Sequence, residues 1–263
     1  GPVLLQVPQE FLAAAVRATG LLASAPAAIA AAEPDPAAVD AAARLLAEAE
    51  RPLVVCGAGA TRGGAGEALR ALCGRFGLPV AGNGLGRGLV PEDWRQGFNW
   101  PLVQVAAKHA DVVLVVGARL KQRLGYGLPP RFAPDARFIQ VDVEAEELSR
   151  NRRIDVPIAA DAGLAAIQLR DALAREAPAS QARGDWLRQH LQPRLAYLDE
   201  RARRGGELVH PLALGHALAR RLDADAIVVG DGADVQNWMY GALRVRHAPG
   251  FLDHYPMGAM GTG

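Results

Sequence analysis

At 263 residues, half of them hydrophobic, the chain can bury a sizeable core as one or two domains. Its 29 basic and 28 acidic residues balance to a net charge of +1, which gives no electrostatic reason to expect nucleic acid or an anionic membrane as a partner. The longest apolar stretch, Phe11 to Ala32, is interrupted by Arg17 and Pro26, so no membrane span is expected, and with no start Met or charged n-region before Gly1 no signal peptide is expected.

In chain order, Gly1 to Pro8 reads as one strand. Phe11 to Ala32 is alanine-rich and reads as a helix running into a linker punctuated by Pro26, Pro34 and Pro36. Asp40 to Ala49 has apolar residues at helical spacing, and Leu53 to Gly57 is a strand. A glycine-rich turn, Gly57 to Gly66, leads into a helix from Glu67 to Phe76, and Leu78 to Ala81 is the next strand. This is a βαβ unit, which should be right-handed. A long loop with four glycines follows, from Gly82 to Pro91, and then a short helix, Val103 to His109. Val112 to Val116 is a continuous apolar run. A strand with apolar residues on both faces must be covered on both, as central strands of parallel sheets are. Arg137 to Val143 and Val156 to Ala159 read as further strands, Glu144 to Leu148 as the start of a helix, and Gly163 to Glu176 as a closing helix. Together these predict an α/β doubly wound, Rossmann-like domain over residues 37–177. After a second linker from Ala177 to Gly184, a long charged helix runs from Trp186 to Arg204. A helix from Leu212 to Leu222, a strand from Ala226 to Gly230 and a helix from Val235 to Leu243 then open a second α/β domain. The chain both begins and ends as if cut from something longer.

In open α/β sheets, ligands sit beyond the carboxyl ends of the strands. Gly117, Arg119 and Asp142 are expected to share such a crevice, with Asp161 on the same edge. Arg119 offers a fork of donors to a phosphate, and Asp142 an acceptor for a ribose hydroxyl or an adenine amine. The alternatives are a turn cap for Asp142 and a plain surface position for Arg119. Gly57 and Gly59 begin a dinucleotide fingerprint, but its third glycine arrives one residue late, at Gly63, and no acidic residue follows the next strand. A tight turn or another kind of nucleotide loop fits that stretch better.

Six histidines are scattered without an HxxxH or HxH pair, so no metal site is expected within the chain, and no GxSxG elbow supports a serine hydrolase. Trp94, Trp100, Trp186 and Trp238 read as packing residues. Cys56 and Cys73, on a strand and a helix, read as small buried hydrophobes in a reducing compartment. Near the end, Gly258 and Gly261 border Met260. Such spacing suits backbone contact with a flat ligand beside one bulky side chain, or equally a pair of loops with a core methionine.

The segments 110–120, 138–143, 156–161, 228–234 and 251–263, with the opening strand, resemble the thiamine-diphosphate-dependent family of acetolactate synthase, oxalyl-CoA decarboxylase, 2-hydroxyacyl-CoA lyase and benzaldehyde lyase. The resemblance covers essentially the whole chain. It implies that residues 1–36 end a pyrimidine-binding domain and its linker, 37–177 form the central domain, 178–208 a linker helix, and 209–263 the start of a diphosphate-binding domain. It implies thiamine diphosphate held by the backbone of Gly232, Ala233, Gly258 and Met260, with the Met260 side chain bending the cofactor. His254 and Tyr255 either line the substrate pocket or lie on a surface loop. Asp234 departs from the polar neutral or histidine residue of some members. Gly57, Gly59, Arg119, Asp142 and Asp161 match positions that hold FAD in some members and ADP in others. The activating glutamate is expected before Gly1 and the magnesium-binding GDG…N segment after Gly263. No catalytic residue is therefore expected within the chain, and the chain alone should be inactive and hold thiamine diphosphate weakly. As a complete protein, a lyase or transferase closest to acetolactate synthase is implied, acting on 2-keto acids or acyl-CoA, as a cytoplasmic homodimer or homotetramer. The reading from a different class is a non-catalytic nucleotide-binding domain with a structural or regulatory role.

Overall fold

A computed structural model describes residues 4–15, 30–204, 208–232, 234–253 and 261. The chain divides into Gly1–Ala30 and Ala31–Gly263. Among the described residues of the first unit, a short helix forms, α1 (Gln9–Leu12). The expected opening strand is absent between Leu4 and Pro8. A strand is stable only when paired and covered, and here Leu4 and Leu5 stay exposed. The helix expected from Phe11 onward is limited among the described residues to that single turn.

The second unit opens with α2 (Pro36–Glu48). Asp35 caps it by accepting from the Ala37 amide, and Pro36 starts it with its fixed φ. There follow β1 (Pro52–Cys56), α3 (Ala58–Arg62), α4 (Gly66–Phe76), β2 (Val80–Gly82), β3 (Gly97–Asn99) and α5 (Trp100–Val103). The chain continues with β4 (Val112–Val116), β5 (Arg137–Asp142), β6 (Val156–Ala159), α6 (Ala162–Glu176) and α7 (Asp185–Arg203). Strands β1 to β6 form one parallel sheet in the order β3-β2-β1-β4-β5-β6. The order reverses between β1 and β4, so those two carboxyl ends flank the topological switch point.

Alternation along β4 explains why both faces are dry. Val112, Leu114 and Val116 meet Leu46, Leu69, Leu72 and Leu173 of α2, α4 and α6. Val113 and Val115 meet Trp100, Trp186, Leu187 and Leu191 of α5 and α7 on the other face. Each such leucine contributes about 1.5–3 kcal/mol by leaving water.

The rest of the unit is α8 (Pro211–Ala219), β7 (Val228–Gly230), α9 (Asp234–Ala242) and β8 (Phe251–Asp253), with β7 and β8 paired in parallel. Four expectations need correction. The turn at 57–66 contains the helix α3. The helix expected at 103–109 is α5 followed by a separate 3-10 turn, Ala107–His109. The helix after 144 is only a 3-10 turn, Ala145–Glu147. The two three-residue strands β3 and β8 were not anticipated, because so short a run carries no readable alternation.

Candidate functional site

Two groups of residues gather at carboxyl ends of strands. The first is at the switch point. The Gly57 amide donates to the Val116 carbonyl at 3.1 Å, and the Gly59 amide to the Gly117 carbonyl at 2.9 Å. A Cβ on Gly57 would stand 2.7 Å from Ala118 Cβ, and one on Gly59 2.8 Å from Gly117 Cα. Gly117 itself turns with φ +57°, a conformation that glycine adopts at little cost. The glycines thus let two strand ends touch backbone to backbone, and both amides are engaged inside the fold.

Arg119 leaves this turn half-exposed, with Nε 3.6 Å from Glu147 Oε1. Glu147 is nearly buried and also accepts from Arg150 at 2.9 Å. On the neighbouring strand, Asp142 is nearly buried, and its Oδ1 accepts from the Glu144 amide at 3.0 Å, closing a turn. Asp161 caps α6: Oδ1 accepts from the Gly163 and Leu164 amides at 2.8 and 3.0 Å. Its Oδ2 lies against Gly63, where an added Cβ would meet it at 3.0 Å. The sheet thus sets Gly57, Gly59, Arg119, Asp142 and Asp161 along one edge.

The second group lies at the ends of β7 and β8. Gly232 follows β7 with φ +88°, and among the described residues an added Cβ there would meet nothing within 4 Å. Asp231 beside it accepts from the Gly261 amide through Oδ2 at 2.8 Å. The stretch after β7 and the glycine that follows Met260 are therefore in contact. Ala233, His254, Tyr255, Gly258 and Met260 lie outside the described residues. Asp234 begins α9 and accepts from Trp238 Nε1 at 3.2 Å.

Between the two groups runs a polar network that the residue pattern alone did not single out. Arg87 and Glu92 pair with both side chains sealed from solvent. Glu92 also accepts from Asn99 Nδ2 and the Val245 amide, and Arg87 Nη2 donates to the Leu243 carbonyl. The Arg87 guanidinium lies 4.4 Å from the Phe251 ring centroid. Above it, Arg123 donates to the Tyr240 hydroxyl at 2.7 Å, which donates to Asp253 at 2.6 Å. Burial, reinforced by the bond to Asp253, pushes the Tyr240 hydroxyl up to about 12. The available signal was opposite charge five residues apart, Arg87 and Glu92, inside an otherwise apolar glycine loop.

Among the described residues, no group of three metal-ligating side chains forms and no helix is long and apolar enough to cross a membrane. Cys56 and Cys73 are free and buried, as expected, and burial pushes each thiol up to about 12. Trp100 and Trp186 are buried in the core as expected, whereas Trp94 is exposed.

Residues 39–169, which contain the whole parallel sheet, match the family described as thiamine pyrophosphate enzyme, central domain. The chain belongs to the thiamine pyrophosphate enzymes. It is 31% identical to 2-hydroxyacyl-CoA lyase 1 of Mus musculus over 237 residues, 86% of this chain and 39% of that protein. It is 34% identical to an acetolactate synthase of Mycobacterium leprae (strain TN) over 155 residues, 56% of this chain and 25% of that protein. With the oxalyl-CoA decarboxylase of Escherichia coli (strain K12) it shares 38% identity over 133 residues, 49% of this chain and 22% of that protein. This thiamine pyrophosphate enzyme chain thus spans at most about two fifths of the length of these relatives.

Proposed function

We propose that this chain is part of a thiamine pyrophosphate-dependent carboligase or decarboxylase acting on 2-keto acids or on 2-hydroxyacyl- or oxalyl-CoA. The observation that carries this reading is the bond from the Gly261 amide to Asp231. It joins the glycine turn after β7 to Gly261, in a chain whose parallel sheet matches the family. Gly232 fits a cradle for a diphosphate: its backbone is left-handed and no described atom crowds its Cα.

When bound, thiamine pyrophosphate supplies a carbon that accepts electrons as a bond next to a carbonyl is broken or made. The backbone of Gly232 and Ala233 would meet the diphosphate. The Gly258 carbonyl and the Met260 amide would hold the aminopyrimidine ring, and the Met260 side chain would support its bent shape. Magnesium and the activating glutamate would be held by residues outside this chain. The relatives named for CoA thioesters and those named for acetolactate both match, so both substrate classes stand in the proposal.

We further propose that the switch-point edge holds FAD or ADP. Arg119 would meet a phosphate and Asp142 a sugar or base, with Asp161 at the α6 terminus. Gly57 and Gly59 would contribute closeness of approach, since their amides already donate within the fold. Two buried free thiols support a reducing, cytoplasmic setting. The apolar side chains exposed on α8 and β7, Leu214, Leu218 and Val229, support assembly into a homodimer or homotetramer.

The test uses a complete protein carrying this chain. Product release from a 2-keto acid or cleavage of a 2-hydroxyacyl-CoA should require both thiamine pyrophosphate and magnesium. No turnover of either substrate class with both present would overturn the catalytic reading. For the nucleotide edge, calorimetry with FAD and ADP decides, and no binding of either would remove Arg119 and Asp142 as ligands.

A further inference from the structure

The Tyr240 hydroxyl stands where three elements meet. It belongs to α9 and lies between Arg123, on the 3-10 turn Gln122–Gly127, and Asp253, the last residue of β8. Arg123 Nη2 donates to the hydroxyl at 2.7 Å, and the hydroxyl donates to Asp253 Oδ2 at 2.6 Å. Arg123 Nη1 reaches the same oxygen at 3.2 Å, so the three side chains close a ring. Tyr240 is only 4% exposed and the Asp253 side chain 7%. Burial holds the hydroxyl proton to about pH 12, so the group is a donor throughout the neutral range. A bond of this kind to a carboxylate is about twice as strong as one between neutral groups.

The two elements that the hydroxyl joins lead to the two halves of the proposed cofactor site. One is α9, which begins two residues beyond Gly232. The other is β8, which ends level with Gly230 of β7 and from which the chain runs on to Gly258 and Met260. Among the described residues the sheet that sets β8 beside β7 has two strands and three residue pairs. A two-stranded pair is marginal by itself, so contacts from outside must fix its ends. Phe251 and Asp253 share one face of β8, because side chains alternate along a strand. Phe251 lies against the Arg87 guanidinium, and Asp253 is taken by Arg123 and Tyr240. The contact at Phe251 is a ring face, which allows sliding. The bonds at Asp253 are directional, and they act at the carboxyl end.

We propose that Tyr240 is a positioning residue for thiamine pyrophosphate: its hydroxyl, held by Arg123, ties α9 to the end of β8 and so sets the spacing between the Gly232 turn and the segment that follows β8. A site binds tightly when its parts are held in place before the ligand arrives. This assignment rests on the cofactor reading above.

The test uses a complete protein carrying this chain, freed of cofactor. Thiamine pyrophosphate with magnesium is titrated calorimetrically into the parent and into Tyr240→Phe, Asp253→Asn and Asp253→Ala. Leu173→Val, in α6 on the other face of the parallel sheet, is the control for a general loss of stability. Thermal unfolding of each cofactor-free protein shows that it is folded. Tyr240→Phe keeps the ring and removes only the hydroxyl, and should weaken cofactor binding at least fivefold. Asp253→Asn still accepts from the hydroxyl and should retain more affinity than Asp253→Ala. Leu173→Val should lower the melting temperature and bind as the parent does. Parent-like binding by Tyr240→Phe would overturn the proposal. So would an affinity loss that Leu173→Val reproduces, since Tyr240 would then be merely structural. Equal losses in the two Asp253 variants would also overturn it, because the charge pair with Arg123 would then set the spacing. A parent that does not bind the cofactor would instead sink the catalytic reading, and the role of Tyr240 with it.

Discussion

Arg87 and Glu92 face each other through two parallel hydrogen bonds, 2.7 and 2.8 Å long, where water does not reach. The pair joins the glycine loop after β2 to the segment after α9 at Val245, whose amide Glu92 also accepts. Removing one partner strands the other charge in the interior. Glu92→Ala is expected to lower stability by about 3–5 kcal/mol, whereas Arg87→Met with Glu92→Leu should cost less than the single change. Urea midpoints decide. A double variant no more stable than Glu92→Ala would mean that a stranded Arg87 charge is not what makes the single change costly.

Gly117 and Gly64 both have positive φ, but their surroundings differ. A Cβ on Gly64 would meet nothing within 4 Å, whereas one on Gly117 would run into the Ala60 amide and Gly59. Gly64→Ala should cost only the left-handed backbone penalty, about 1–2 kcal/mol. Gly117→Ala should add about 1–3 kcal/mol of overpacking to that. It should also spread the ends of β1 and β4 and weaken any nucleotide bound there. Thermal unfolding of the two variants side by side is the check. Equal losses would count against the close approach at the switch point.

Asp161 has an assigned structural bond and a proposed ligand role, and two substitutions separate them. Asp161→Ala removes the cap of α6 and should cost about 1 kcal/mol, while Asp161→Asn keeps the cap at nearly parent stability. If Asp161 also meets a nucleotide through its charge, Asp161→Asn should weaken FAD or ADP while leaving the melting temperature unchanged. A nucleotide affinity equal to that of the parent would leave Asp161 as a cap alone.

Alkaline pH should destabilise the chain in two stages. Burial raises Cys56 and Cys73 from 9.0 to about 12, and Tyr240 from 10.0 to about 12. In each case the folded state holds its proton over a range where the unfolded chain has lost it. The unfolded state then binds fewer protons, so stability falls as pH rises. The contribution is complete below about pH 9, declines first through the thiols and then above about 10 through Tyr240, and is gone near 12. Denaturation midpoints at half-unit pH steps should show this, and Tyr240→Phe should flatten the slope above pH 10 without altering the earlier part. A Tyr240→Phe curve parallel to that of the parent throughout would refute the assignment.

What the sequence determined by itself was the set of elements whose physics is local. Val112 to Val116 had to be a strand covered on both faces, because nothing in it tolerates water. Asp161 could be read between a strand and the helix that follows it, and Gly117 at a strand end, whereas the start of α2 at Asp35 was placed too late, at Asp40. Tertiary structure decided the rest. The strand order β3-β2-β1-β4-β5-β6 depends on which edges pair, and hydrogen bonds between distant strands leave no periodic mark in the chain. Strands β3 and β8 exist only because a neighbour supplies their bonds. The same is true of the contact between Asp231 and Gly261, and of the Arg87–Glu92 pair under Phe251. A charged side chain reads as solvated until the fold shows what encloses it, since burial belongs to the surroundings and not to the residue.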